Sequence, residues 1–129
     1  MVSRATFAAK GKDEGVTGVA YSIVIDLSAR QLVLYREGFP ARFFPVGVGK
    51  MATPTPAGTY YVAAKRPNPG GPFGAMWLGL SIPHYGIHGT NNPSSIGHYV
   101  SHGCIRMHNA DVLELSGLIP VGTPVTIKG

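Results

Sequence analysis

The sequence predicts a mainly β domain, a β-sandwich of mixed sheets with one or two short helices. Short runs rich in Val, Ile, Tyr and Phe recur between turn residues. Eighteen glycines and eleven prolines among 129 residues leave little room for long helices. Only one stretch has helical periodicity, and a chain of this length is the size of one compact domain.

The elements follow in order. Residues 1–18 are polar and rich in small side chains without a period, so a flexible tail is expected there and a folded domain over 19–129. YSIVIDLS (21–28), QLVLYRE (31–37) and FPARFFPVGVG (39–49) read as strands separated by Ser28-Ala29-Arg30 and Glu37-Gly38, which implies two hairpins. GTYYVAAKR (58–66) alternates as a strand, and MWLGLSIP and HYGIHG supply two more extended pieces. RPNPGGPFGA between them is too rich in Pro and Gly for helix or central strand. It is either a loop beside a binding site or a long hairpin connection.

NADVLELSGLI (109–119) is the helix, with Asn109 as candidate N-cap, Asp111 suiting the dipole, and Val112, Leu115, Leu118 and Ile119 on one buried face. PVTIKG closes the fold as a last strand.

Eleven basic and six acidic residues give a net charge of +5, which favours anionic partners such as nucleic acid, acidic wall polymers or lipid headgroups, and charge alone does not decide among them. The basic residues are scattered and are not interleaved with aromatics, so no nucleic-acid partner is expected. No apolar run is long enough for a signal peptide or a membrane span, so no stable membrane insertion is expected. Either export by a signal peptide is not used, or the sequence begins after a removed leader. A monomer is expected. A single cysteine excludes an internal disulfide.

IHGTNNPSSIGHYVSHGCIRMHN (87–109) holds four of the five histidines and that cysteine. Glycines and turn formers interrupt any regular element here, so the stretch reads as a site. A thiol is a poor nucleophile until deprotonated. His102 lies two residues before Cys104, close enough in an extended or turned backbone to form a thiolate–imidazolium pair. Gly103 between them allows close approach of a substrate carbonyl, and amides around 102–104 could form an oxyanion hole. Arg106 is placed either to lower the thiol pKa or to hold a substrate carboxylate, with a structural ion pair as its plainer role. His84/His88, His98/His102 and Cys104/His108 share a four-residue spacing that would suit metal ligands on helices. The intervening glycines argue against helices, so neither metal nor other cofactor is expected.

These residues resemble the L,D-transpeptidase catalytic domain of bacterial cell walls, the YkuD-like family. Its pattern is a His-Gly pair, a spacer, then Ser/Thr-His-Gly-Cys with Arg or Asn two positions later. Here it reads His88-Gly89-Thr90, then Ser101-His102-Gly103-Cys104-Ile105-Arg106. GKMATPTPAGTYYV and SIVIDLSARQLVLY are similar to family segments upstream, so the likeness spans roughly 19–128. The resemblance implies a cysteine-dependent acyltransferase acting on peptidoglycan stem peptides outside the membrane, and a target that carbapenem β-lactams acylate. Cys104 would be the nucleophile, His102 its base, and His88 a second proton-handling or oxyanion-stabilising group. Ser101, Gly103 and Arg106 would shape the site, and Thr90, Tyr85 and Gly89 would contact substrate. His98 and His108 receive no catalytic role, and residues 67–74 are expected to form part of the cleft wall. The implied reaction is a 3→3 cross-link through a thioester. The alternatives are L,D-carboxypeptidase trimming, a wall-binding module without turnover, and a metal-dependent hydrolase.

Overall fold

The computed structural model describes residues 19–129, apart from the side chains of Val100 and Ser101; the expected tail lies outside the described residues. The chain opens with β1 (Tyr21–Asp26), β2 (Gln31–Arg36) and β3 (Phe39–Pro45), joined as two antiparallel hairpins. Alternation decides which face is buried: Ile23 pairs with Leu34 and Ile25 with Leu32, and all four point into the core. The second hairpin turns on Glu37 and Gly38, both at positive φ, the geometry that matches strand twist in a two-residue loop.

FPARFFPVGVG is not one strand. It breaks after Pro45, and β4 (Val48–Gly49) leaves to pair in parallel with β8 (Tyr99–Ser101) as a separate two-stranded ribbon. Then come β5 (Gly58–Pro67), β6 (Met76–Leu80), β7 (Gly86–His88), β9 (Ile105–Arg106), α1 (Asn109–Leu118) and β10 (Pro124–Lys128). The main sheet is mixed, as expected, and runs β3-β2-β1-β10-β5-β6-β7-β9 without interruption. Strand β5 makes it continuous: its first residues pair with β10, and the stretch from Val62 to Pro67 pairs with β6. An irregularity between Val62 and Ala64 lets the sheet curl there.

One hydrophobic cluster is shared by both halves of the sheet and by the helix, joining Ile23, Leu34, Leu78, Ile87, Ile105, Val112 and Leu115. The helix buries Val112, Leu115 and Ile119 as expected, with Leu118 partly buried. Its last turn has no basic residue of its own. Lys65 on β5 supplies the charge, its Nζ donating to the carbonyls of Ser116 (2.7 Å) and Ile119 (2.5 Å).

The expected N-cap is corrected. His108 occupies the cap position, without a side-chain cap bond, and Asn109 is the first helical residue. Its amide is used elsewhere, as described below.

The segment between the two sequence motifs is tied down at its far end. Arg30, in the β1–β2 turn, donates from Nε to the Gly97 carbonyl (3.1 Å), and its guanidinium lies over the Tyr99 ring. The Gly97 amide bonds to Val46 and the Val48 amide to His98.

Candidate active site

The two halves of the motif meet because β7 and β9 are parallel neighbours at the end of the sheet. Ile87 pairs with Ile105 and His88 with Arg106. The isoleucines are buried in the core, so the alternate positions turn to the other face. That face carries His88 on β7 and Arg106 on β9, with Cys104 two residues before Arg106. Arg106 acts electrostatically on both His88 and Cys104.

Cys104 is partly exposed. Its thiol points toward the carbonyl of His84, 3.7 Å away, and the Gly86 amide donates to the sulfur. Burial raises the thiol pKa above its ordinary value, while the Gly86 bond and the Arg106 charge act the other way without reversing the shift. Arg106 favours ionisation, and desolvation outweighs it.

His88 is buried, at 4% exposure. Its Nδ1 lies 2.5 Å from the carbonyl of Gly89. A carbonyl only accepts, so Nδ1 carries the proton and Nε2 is the ring's acceptor. Burial holds the imidazole pKa below its ordinary value; the Gly89 carbonyl opposes this and the Arg106 charge adds to it. Thiol and imidazole are thus both driven toward their neutral forms in the resting site.

Two aromatic side chains enclose that imidazole, Phe73 from the stretch expected to wall the cleft and Trp77, which the sequence did not single out. Trp77, opposite His88 in the β6–β7 ladder, stacks on it with centroids 5.6 Å apart and planes 15° apart. Phe73 meets His88 edge-on at 5.1 Å and Trp77 at 5.3 Å. Such contacts contribute about 0.5–1.5 kcal/mol each beyond area burial. Gly86 is required beneath the indole, where a Cβ would come within 2.7 Å of the ring. Phe73 ends the short 3-10 turn Gly71–Phe73, so the Pro/Gly-rich stretch does reach the site.

Burial of a neutral His88 has a measurable consequence. Its folded-state pKa lies below that of the unfolded chain, so the unfolded chain binds the proton first. Stability is highest above about 6.5, the ordinary imidazole value, and is lost as pH falls below it. Melting temperatures measured from pH 8 to pH 5 are expected to fall less steeply for His88→Gln than for wild type. Identical slopes would show that His88 is not held neutral.

The remaining predicted residues divide by placement. His102 is exposed in the bend between β8 and β9. Gly103 is buried at φ 120°, and the Tyr85 ring lies so close that a Cβ would come within 2.5 Å of it. Tyr85 thereby packs over the turn that presents Cys104. Thr90 is buried and its Oγ1 accepts from the Asn92 amide at 2.9 Å. Gly89 has no room for a side chain, because the Asn109 amide oxygen occupies that space. Ser101 ends β8, and its side chain lies outside what the structure describes. His98 and His108 lie in the inter-motif segment and at the helix cap. The four-residue His and Cys spacings fall on turns, bends and strands rather than on a helix, and no group of three or more metal-ligating side chains converges among the described residues.

Comparison with known proteins identifies this arrangement. Residues 20–127 match the family model YkuD, described as the L,D-transpeptidase catalytic domain. The chain belongs to that family. It is 56% identical over 109 residues to a Bacillus licheniformis protein named as an L,D-transpeptidase, YkuD, covering 84% of this chain and 66% of the relative. The chain thus spans about two thirds of the length of that curated relative. The solution structure of the catalytic domain of the Enterococcus faecium L,D-transpeptidase superposes with a TM-score of 0.73 at 29% identity, over 84% of this chain and 96% of that one. The L,D-transpeptidase LdtMt1, solved in complex with imipenem, shares the fold at 23% identity and a TM-score of 0.74, over 86% of this chain and 60% of that one. The match starts just before the first strand of the described fold and runs into the last, so the curled sheet lies within the matched span.

Proposed function

We propose that this domain, over residues 19–129, is a peptidoglycan L,D-transpeptidase working through a thioester on Cys104. The observation that carries the reading is the register of β7 against β9, which groups Cys104, His88 and Arg106 on one face with His88 Nε2 as acceptor. The Cys104 thiol passes its proton to His88 Nε2 as sulfur attacks the carbonyl of the third residue of a tetrapeptide stem. The tetrahedral intermediate collapses, the carbon–nitrogen bond to the terminal D-alanine breaks, and the imidazolium returns the proton to that leaving amine. A side-chain amine of a second stem then attacks the thioester, gives its proton to His88, and forms a 3→3 amide cross-link as the thiol is restored.

Arg106 fits a further task here, stabilising the thiolate as it forms and attracting the stem's terminal carboxylate. The net positive charge suits an anionic wall, and the reaction belongs outside the membrane, where that polymer lies.

Incubation of the protein with purified sacculi, followed by muropeptide mass spectrometry, tests the reading. New 3→3 dimers with release of D-alanine are expected. Accumulation of tripeptide stems alone would assign water as acceptor, and binding without any change of muropeptides would overturn the catalytic reading.

A further inference from the structure

Asn109 was expected to cap the helix, and its side chain does something else. Its Oδ1 accepts from the amides of Thr90 (3.1 Å) and Ala75 (3.0 Å), and its Nδ2 donates to the Thr90 carbonyl (3.0 Å). Two glycines make room for it: a Cβ on Gly74 or on Gly89 would collide with Oδ1. One amide thus joins the start of α1, the loop entering β6 and the segment leaving β7.

The Thr90 amide and the Gly89 carbonyl are the two ends of a single peptide group. At one end the N–H donates to Asn109; at the other the carbonyl accepts from His88 Nδ1. The hydrogen bonds therefore run in series from Asn109 Oδ1 through the 89–90 peptide to the imidazole. Accepting from the N–H polarises the peptide and strengthens its carbonyl as an acceptor. The Gly89 amide is fixed as well, by the carbonyl of Met76.

We propose that Asn109 is a positioning residue for His88, holding the 89–90 peptide so that the imidazole keeps its proton on Nδ1 and presents Nε2 as base. The inference rests on the role of His88 under the proposed function. The same chain supports the imidazolium when Nε2 takes a proton, because a better carbonyl acceptor stabilises the charged ring. The other charged group acting on His88 is Arg106 on β9, while β6 and the 71–73 turn present the uncharged Trp77 and Phe73.

The test reads the ring directly, without substrate. Two-bond hydrogen–nitrogen correlation spectra of the wild-type protein should show His88 as the Nδ1–H tautomer, with a coupling across the hydrogen bond from the Thr90 nitrogen to the Asn109 side-chain carbonyl carbon. In Asn109→Leu the tautomer should become mixed and the His88 titration midpoint should fall. Carbapenem acylation should slow by about threefold to tenfold, the usual scale for losing a hydrogen bond between neutral groups. Asn109→Asp keeps the acceptor and loses only the donor to Thr90, so it should retain the Nδ1–H tautomer and raise the midpoint.

An Nε2–H tautomer in wild type would overturn the proposal, as would a folded Asn109→Leu protein with the wild-type tautomer and midpoint. If Asn109→Leu fails to fold, a loss of the Nδ1–H form in Asn109→Asp decides against it. Failure of the transpeptidase reading would look different: no acylation of wild type, with the tautomer series unchanged.

Discussion

Cys104→Ala is expected to lose all carbapenem acylation, with the rate falling on the order of 10⁴-fold or more, as when a covalent nucleophile is removed. The wild-type protein should gain one intact carbapenem mass, since opening the lactam ring onto sulfur expels no leaving group. Cys104 is the only cysteine in the sequence, so no second thiol can account for an adduct. The thiol is partly exposed and makes a long contact to the His84 carbonyl. Its replacement by a methyl group should therefore cost less than about 1 kcal/mol of stability. Intact mass spectrometry with a melting curve on the same sample separates the two effects. An adduct that persists on folded Cys104→Ala would remove this residue from the mechanism.

His88→Gln is expected to slow the same acylation by about 10²–10⁴-fold, the usual contribution of a positioned general base. Glutamine approximates the volume between Trp77 and Phe73 but cannot take a proton at neutral pH. His102→Gln, altering an exposed side chain in a bend, should cost less than about tenfold. This contrast matters because the sequence pattern points first to His102, which stands next to the nucleophile along the chain. In space, His88 is the histidine whose ring is buried, stacked and fixed in one tautomer. Second-order acylation rates over pH 5–9 measure the difference. A His102→Gln loss equal to that of His88→Gln would reassign the base.

The contrast between the histidines also shows how far the sequence could be read. Strands β1, β2, β5, β6 and β10 and helix α1 were legible because alternation and helical spacing are local signals. The site was legible as a motif, since Ser101 to Arg106 is contiguous and the His88-Gly89 pair is distinctive.

Ladder information was not legible. Trp77 stands opposite His88 only through the β6–β7 register, and nothing within MWLGL marks one of its residues as a site wall. Asn109 looked like a cap because Asn before an amphipathic run usually is one. The competing partners, Thr90 and Ala75, are 19 and 34 residues away. The net direction of the thiol shift was not legible for a similar reason. Charge is visible in a sequence, whereas the desolvation that outweighs it is a property of the packed site.

The position of β10 has a consequence for the order in which the molecule is made. Residues 124–128 form the strand between β1 and β5 and join the β3-β2-β1 group to the β5-β6-β7-β9 group within the main sheet, while a single backbone bridge between Gly47 and Arg106 links the segment after β3 to β9. A ribosome delivers this bridging strand after every other strand of the sheet. Until it emerges, the first hairpins and the nucleophile-bearing strands have no ladder in common. The main sheet is therefore complete only once Pro124–Lys128 has taken its place between β1 and β5. Non-local pairing of this kind makes folding slow, and it ties the maturation of the site to the last residues of the fold.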